Sequence, residues 1–173
     1  MMAHRLFRIV AMVWVGSLLA LGYIAAPVLF SMLDPSVAGS VGAQLFRIEA
    51  IIGVACGIAL LLMANRLIRG GFDDYKRTRW VIAAMLVCVL IGYFALAPFM
   101  NAILVAARAS GVELANSPDA SRFGMLHGIS TAFYVVESVL GLMLFWRLPG
   151  RFSTHAVVPK GKSASVAAKR ARG

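Results

Sequence analysis

Four long apolar runs, about residues 8–30, 48–65, 80–98 and 123–146, are separated by short polar interruptions. Each is close to the roughly 17–25 residues that a helix needs to cross the hydrocarbon core of a bilayer. The pattern therefore predicts an all-α membrane protein, a bundle of four transmembrane helices contained in residues 1–148. Nothing outside the runs is long enough for a second folded domain. Over 149–173 the apolar periodicity stops and Ser, Ala, Lys, Arg and Gly take over, which predicts a basic, disordered tail.

Polar positions inside the runs are few, and the fourth run concentrates them. His127, Ser130, Tyr134, Glu137 and Gly141 recur at three-four-three-four spacing, with Thr131 and Ser138 alongside. That spacing gathers them on one helical face. Glu137 stands out because an ionisable group at bilayer depth is costly and marks a functional candidate. At 1.5 Å per residue it lies about 15 Å from Arg147. Ser17, Cys56 and Cys88 fall at similar depths in the other helices, and no Lys or Arg matches them. A proton relay, a cation or substrate site, and a purely structural hydrogen-bonded acid are the competing readings.

The chain also reads as one helical hairpin written twice. Gly22-Tyr23 followed by Pro27 in the first run matches Gly92-Tyr93 followed by Pro98 in the third. Asp34-Pro35 and Ser117-Pro118 each place a capping residue before a proline, the usual opening of a helix. The second and fourth runs both close on a Leu-rich stretch and an arginine, Arg66 and Arg147. Both halves start on the same side, so the repeat is parallel, about an axis along the membrane normal. Between the third and fourth runs, 101–116 is expected to be a linker with one interfacial helical turn around 103–109. The two prolines are expected to kink their helices and free the carbonyls of Tyr23 and Phe94.

Charge then orients the bundle. Of 17 Lys and Arg residues, only Arg47, Arg108 and Arg122 fall on the side opposite the rest. The positive-inside rule places both termini and the middle loop in the cytoplasm of an inner-membrane protein. The net charge of +10 thus reads as topology, and a nucleic-acid partner is excluded. Attraction to anionic lipid is the one partner the tail itself suggests. With 61% hydrophobic residues and a mean hydropathy of +0.84, the lipid bilayer is the main partner. The first run is read as a retained span, because its apolar region exceeds the roughly 7–15 residues of a signal peptide and Pro27 would follow the cleavage site.

Other constellations are weaker. Glu49 lies near the outer end of the second run, where pairing with His127 is one expectation. Gly53 and Gly57, with Gly128 and Gly141, are candidates for close helix packing. Met32, Met100, Met125 and His127 near outer helix ends, with Cys56 and Cys88 deeper, admit copper or haem handling, but no metal-ligand spacing supports it. No metal or cofactor is therefore assigned. Catalytic motifs are absent, and Ser130, His127 and Glu137 on one helix do not build a triad; an enzyme is not expected.

Gly22-Tyr23-x-x-Ala26-Pro27-Val28-Leu29-Phe30, Ala38-Gly39-x-x-Gly42-x-x-Leu45-Phe46 and Leu126-His127-Gly128-x-Ser130, in that order, resemble the family called domain of unknown function 4149, akin to transmembrane protein 205. The resemblance runs from about Leu6 to Leu148. The fold is more loosely similar to copper-resistance-type membrane proteins. It implies a multi-pass inner-membrane protein and a signature at His127, Gly128 and Ser130, with no activity attached. Three functions stay open: a small transport or ion-relay module, with a homodimer as one way to complete its pathway; a structural or accessory membrane protein; and metal or haem handling at the outer mouth.

Overall fold

The computed structural model describes residues 2–147, so the tail expected over 149–173 lies outside the described residues. Four helical spans follow one another: Met2–Met32, Pro35–Arg69, Tyr75–Ala109 and Ala120–Arg147. There is no strand among the described residues. All four exceed the expected lengths. The second, at 35 residues, is about 52 Å long and must tilt or project from a core about 30 Å thick.

The first span packs on the second and fourth, and so does the third, leaving the second and fourth diagonally opposed. The starts of the first and third spans meet at one end, where His4 Nδ1 and Tyr75 Oη are 2.9 Å apart and the Phe7 and Tyr75 rings meet edge to face. The end of the second span joins them, Arg79 donating to Asn65 Oδ1 at 3.3 Å. The end of the fourth does too, since Arg147 lines a hollow with Asp74 and Arg77. The first and third spans therefore run parallel, as two successive hairpins require. Arg66, Arg77, Arg79 and Arg147 collect at this one end, while Arg47, Arg108 and Arg122 lie toward the other.

Phe7, Trp14, Leu18, Leu60, Ile82, Met85 and Leu144 are buried in the bundle, while Ile9, Met12, Val13, Leu62, Val87, Val139 and Leu142 point outward. An apolar exterior of this kind faces lipid. Lipid tails are as apolar as these side chains, so association rests on tight packing and on interhelical hydrogen bonds.

Two glycines end spans where a side chain would be strained. Phe72 N donates to Leu67 O at 3.1 Å and Gly71 N to Ile68 O at 3.0 Å, with Gly71 at φ +89°. Val112 N to Ala107 O, Gly111 N to Arg108 O and Gly111 at φ +68° repeat the arrangement at the end of the third span. Both are Schellman turns, which satisfy the last carbonyls and need a left-handed residue.

Two boundaries differ from expectation. The third span does not stop at 98: Ala97–Ala109, rich in alanine and unbranched helix formers, continues it, so most of the expected 101–116 linker is helix. The fourth helix starts at Ala120 and is not opened by Ser117-Pro118. The Ser117 hydroxyl turns back to Leu114 O at 2.9 Å, and Phe123 N takes the Asp119 carbonyl at 2.9 Å.

The prolines do more than kink. Each follows a π-helical turn, Leu21–Ala25 before Pro27 and Leu90–Ala95 before Pro98. Ala26 N bonds Leu21 O and Leu96 N bonds Ile91 O at 3.2 Å. The wider turn accommodates a residue without an N–H, and it sits on the same Gly-Tyr pair in both halves.

Candidate functional site in the membrane core

The two π turns determine what the fourth span does. In an α-helix Gly92 O would accept from Leu96 N, which here turns to Ile91 O. Ser130 Oγ supplies the replacement, donating to Gly92 O at 2.9 Å. One turn on, Tyr134 Oη donates to Leu18 O at 2.5 Å, beside the other π turn. A Cβ on Gly22 would run into the Tyr134 ring, so that glycine is the seat for the phenol. Tyr134 also meets Phe46 of the second span edge to face, at 5.4 Å.

Deeper toward the basic end lies Glu137, 3% exposed. Trp14 Nε1 donates to Glu137 Oε1 at 3.2 Å, across 123 residues of sequence. The indole rests on Gly53 and Gly57: added Cβ atoms would stand 2.9 Å from Nε1 and 3.1 Å from Cη2. This pair of glycines, a candidate for close helix packing, is a shelf for a flat ring from the first span. Gly141 packs in the same layer against Val15 and Met85, at 3.0 and 3.4 Å from an added Cβ.

Glu49 is also buried, at 3% exposed, although its place in the sequence suggested an outer, wetted end. Its Oε1 has no hydrogen-bond partner. Glu49 and Glu137 lie within electrostatic reach of each other, and both within reach of Tyr134. Cys56 sits near Glu49 and Cys88 near Glu137. Glu137, Cys56 and Cys88 of the expected central layer are thus joined by Glu49 and Tyr134 in neighbouring pairs, and they do not converge on one point. Ser17 is not among them, for its hydroxyl bonds Trp14 O within its own helix at 2.9 Å.

The outer part of the polar stripe does not face inward. His127 is exposed and stacks on Phe123, with centroids 6.2 Å apart and planes within 5°; no ion pair joins it to Glu49. Thr131 is exposed and bonds back to His127 O at 2.9 Å, as Ser138, though buried, bonds to Tyr134 O. Gly128 is exposed, and nothing lies within 4 Å of an added Cβ, so it packs no helix in the monomer. A strict 3.5-residue stripe drifts about 20° per heptad around a straight α-helix. Over the two heptads from Gly141 to His127 that is only about 40°; His127 is exposed because it lies beyond Ser130, the outermost residue of the stripe bonded to a neighbouring helix.

A family model described as Domain of unknown function (DUF4149) matches residues 9–109. The chain belongs to the DUF4149 family. No curated protein and no solved structure matches it. The DUF4149 match takes in Trp14, both π turns, Glu49 and the Gly53–Gly57 shelf. It stops before the fourth span, so Glu137 and the Leu126-His127-Gly128-x-Ser130 motif lie beyond the matched residues.

Within this DUF4149 chain no three His, Cys, Asp or Glu side chains converge among the described residues. Met32 and Met125 are exposed, at 77% and 61%. Trp14 is the site residue that sequence reasoning missed. The signal was present: an indole N–H inside an apolar span must find an acceptor, and two glycines one turn apart offer a seat for a large ring.

Proposed function

We propose that the chain is a small ion- or proton-relay module of the inner membrane, with both termini in the cytoplasm. The observation that carries this reading is the pair of buried carboxyls, Glu49 and Glu137, in one bundle interior, with Glu49 Oε1 unpartnered. A carboxyl sealed from water is tolerable either as the neutral acid or beside a cation. A layer of two such groups is therefore a place where a proton or a small monovalent cation binds. Tyr134 lies within electrostatic reach of both carboxyls, with its hydroxyl given to Leu18 O. Four helices leave little room for a complete pathway, which favours a second copy lining it.

The test is flux. Protein reconstituted in liposomes with an entrapped pH dye, under a potassium diffusion potential, should pass protons or the driving cation faster than empty vesicles. Glu49→Gln should remove that flux while the protein still inserts and folds. Flux equal to empty vesicles under every gradient would overturn the reading.

A second reading is supported by the Trp14–Glu137 bond and by the two end hollows, which neither carboxyl lines. On it the chain is an accessory membrane protein whose acids only lock helices. It predicts that Glu49→Gln and Glu137→Gln lower folded yield and alter no flux.

A further inference from the structure

At the basic end of the bundle a hollow of about 380 Å³ opens between the start of the third span and the end of the fourth. Asp74, Arg77, Thr78 and Arg147 line it. The two arginines come from different helices and share the wall of the hollow with one carboxylate. Thr78 is 2% exposed, and its hydroxyl makes only a long contact, 3.5 Å, to Asp74 O. That donor is therefore available to a guest.

The level of the hollow is marked by two tryptophans. Trp80 is 69% and Trp146 92% exposed, one near the start of the third span and the other beside Arg147. Arg79 lies over the Trp80 ring, 5.6 Å from its centroid. Exposed tryptophan at the end of a span sits where acyl chains give way to headgroups. A guest in this hollow therefore sits at phosphate depth.

We propose that this hollow binds the headgroup of an anionic glycerophospholipid, a phosphoglycerol group. Arg77 and Arg147 take the phosphate oxygens through charge-assisted hydrogen bonds, and the Thr78 hydroxyl donates to the same group. The Asp74 carboxylate, unfavourable to a bare phosphate, accepts from the free hydroxyls of the glycerol. A choline headgroup instead adds a quaternary ammonium to a site that already holds two arginines, and it offers Asp74 no hydroxyl. The site is separate from the Glu49–Glu137 layer and does not depend on any relay activity.

Full-length protein in neutral detergent should show a saturable rise in its thermal unfolding midpoint with added short-chain phosphatidylglycerol. Phosphatidylcholine and inorganic phosphate, at equal concentration, should leave the midpoint unchanged. Arg77→Gln with Arg147→Gln should weaken the phosphatidylglycerol effect about ten-fold or more, as expected for losing charge-assisted bonds. Lys160→Gln with Lys162→Gln removes the same charge from the tail and should change it less than about two-fold. Equal losses in the two double variants would reduce the effect to general attraction and overturn the site. An equal rise with inorganic phosphate would overturn the lipid as ligand. Should the double arginine variant unfold without lipid, the exposed Arg147→Gln alone serves, and an unaltered phosphatidylglycerol response would refute the proposal.

Discussion

The Trp14–Glu137 bond is the interaction on which the central layer turns, and a double-mutant cycle tests it. Trp14→Phe keeps a ring on the Gly53–Gly57 shelf but deletes the donor, leaving a buried carboxyl without its cross-helix partner. Glu137→Leu removes the acceptor at similar volume and strands the indole N–H. Leaving a buried polar group unpaired costs about 1–3 kcal/mol, and Phe for Trp adds a cavity term of about 1 kcal/mol. Each single change should then cost about 2–3 kcal/mol. The double variant loses both partners together and should be less damaging than the sum. Interhelical hydrogen bonds in membrane proteins couple by about 0.6 kcal/mol on average and up to about 1.7. The 3.2 Å donor distance is at the long end of the usual range, so the coupling expected is near that average of about 0.6 kcal/mol. Reversible unfolding in mixed detergent micelles with rising dodecyl sulfate measures each corner of the cycle. Coupling below about 0.3 kcal/mol, the scatter expected for independent sites, would refute the assignment.

The glycines make contrasting predictions. Gly53→Ala brings a methyl group within 2.9 Å of the indole nitrogen and should destabilise by about 1–3 kcal/mol in the same unfolding assay. Gly128→Ala meets nothing within 4 Å and should be neutral to slightly stabilising, within about 0.5 kcal/mol; a large loss would show that a second copy packs there. Ser130→Ala withdraws the donor from Gly92 O and should cost about 0.6–1.7 kcal/mol, with faster amide hydrogen exchange over Leu90–Ala95. Gly71→Ala forces a side chain into φ +89° and should cost about 1–2 kcal/mol, read as a lower midpoint with unchanged secondary structure by circular dichroism.

The spans were legible because membrane insertion imposes a length and a polarity on every helix, and the flanking arginines punctuate them. Their ends were less so. Ser117 has the chemistry of a helix cap, but its hydroxyl has another carbonyl within reach at Leu114. Nor does Pro98 end its helix, since a π turn absorbs the missing N–H. The two Gly-Tyr-Pro patterns were visible as a repeat, yet their purpose was not. A π turn leaves a carbonyl in need of a donor, and that donor comes from Ser130, 38 residues away. Periodicity placed Glu137 on the inner face correctly, and His127 incorrectly, because the helix runs on past Ser130, its outermost bond to a neighbour. Trp14 escaped notice because an aromatic in an apolar span looks like filler until its N–H has to be placed.

The structure moves the functional question from the fourth span to the second. Ser130, Tyr134 and Glu137 each have a partner on another helix: the Gly92 carbonyl, the Leu18 carbonyl and the Trp14 indole. A stripe so fully committed closes the bundle, with each bond tying the fourth span to one of the two π-bearing helices. Glu49 has no such duty. It is equally buried, its Oε1 is unpartnered, and the Phe46–Tyr134 ring contact holds the second and fourth spans together one turn away. A group whose removal would break no bond in the fold, yet whose burial costs free energy, is the one whose presence demands another explanation. Glu49→Gln keeps the shape and removes the charge. The variant should therefore unfold within about 0.5 kcal/mol of the parent or be more stable, while Glu137→Leu does not. Should Glu49→Gln instead prove as damaging as Glu137→Leu, Glu49 would be one more brace in the bundle and the relay would lose its site.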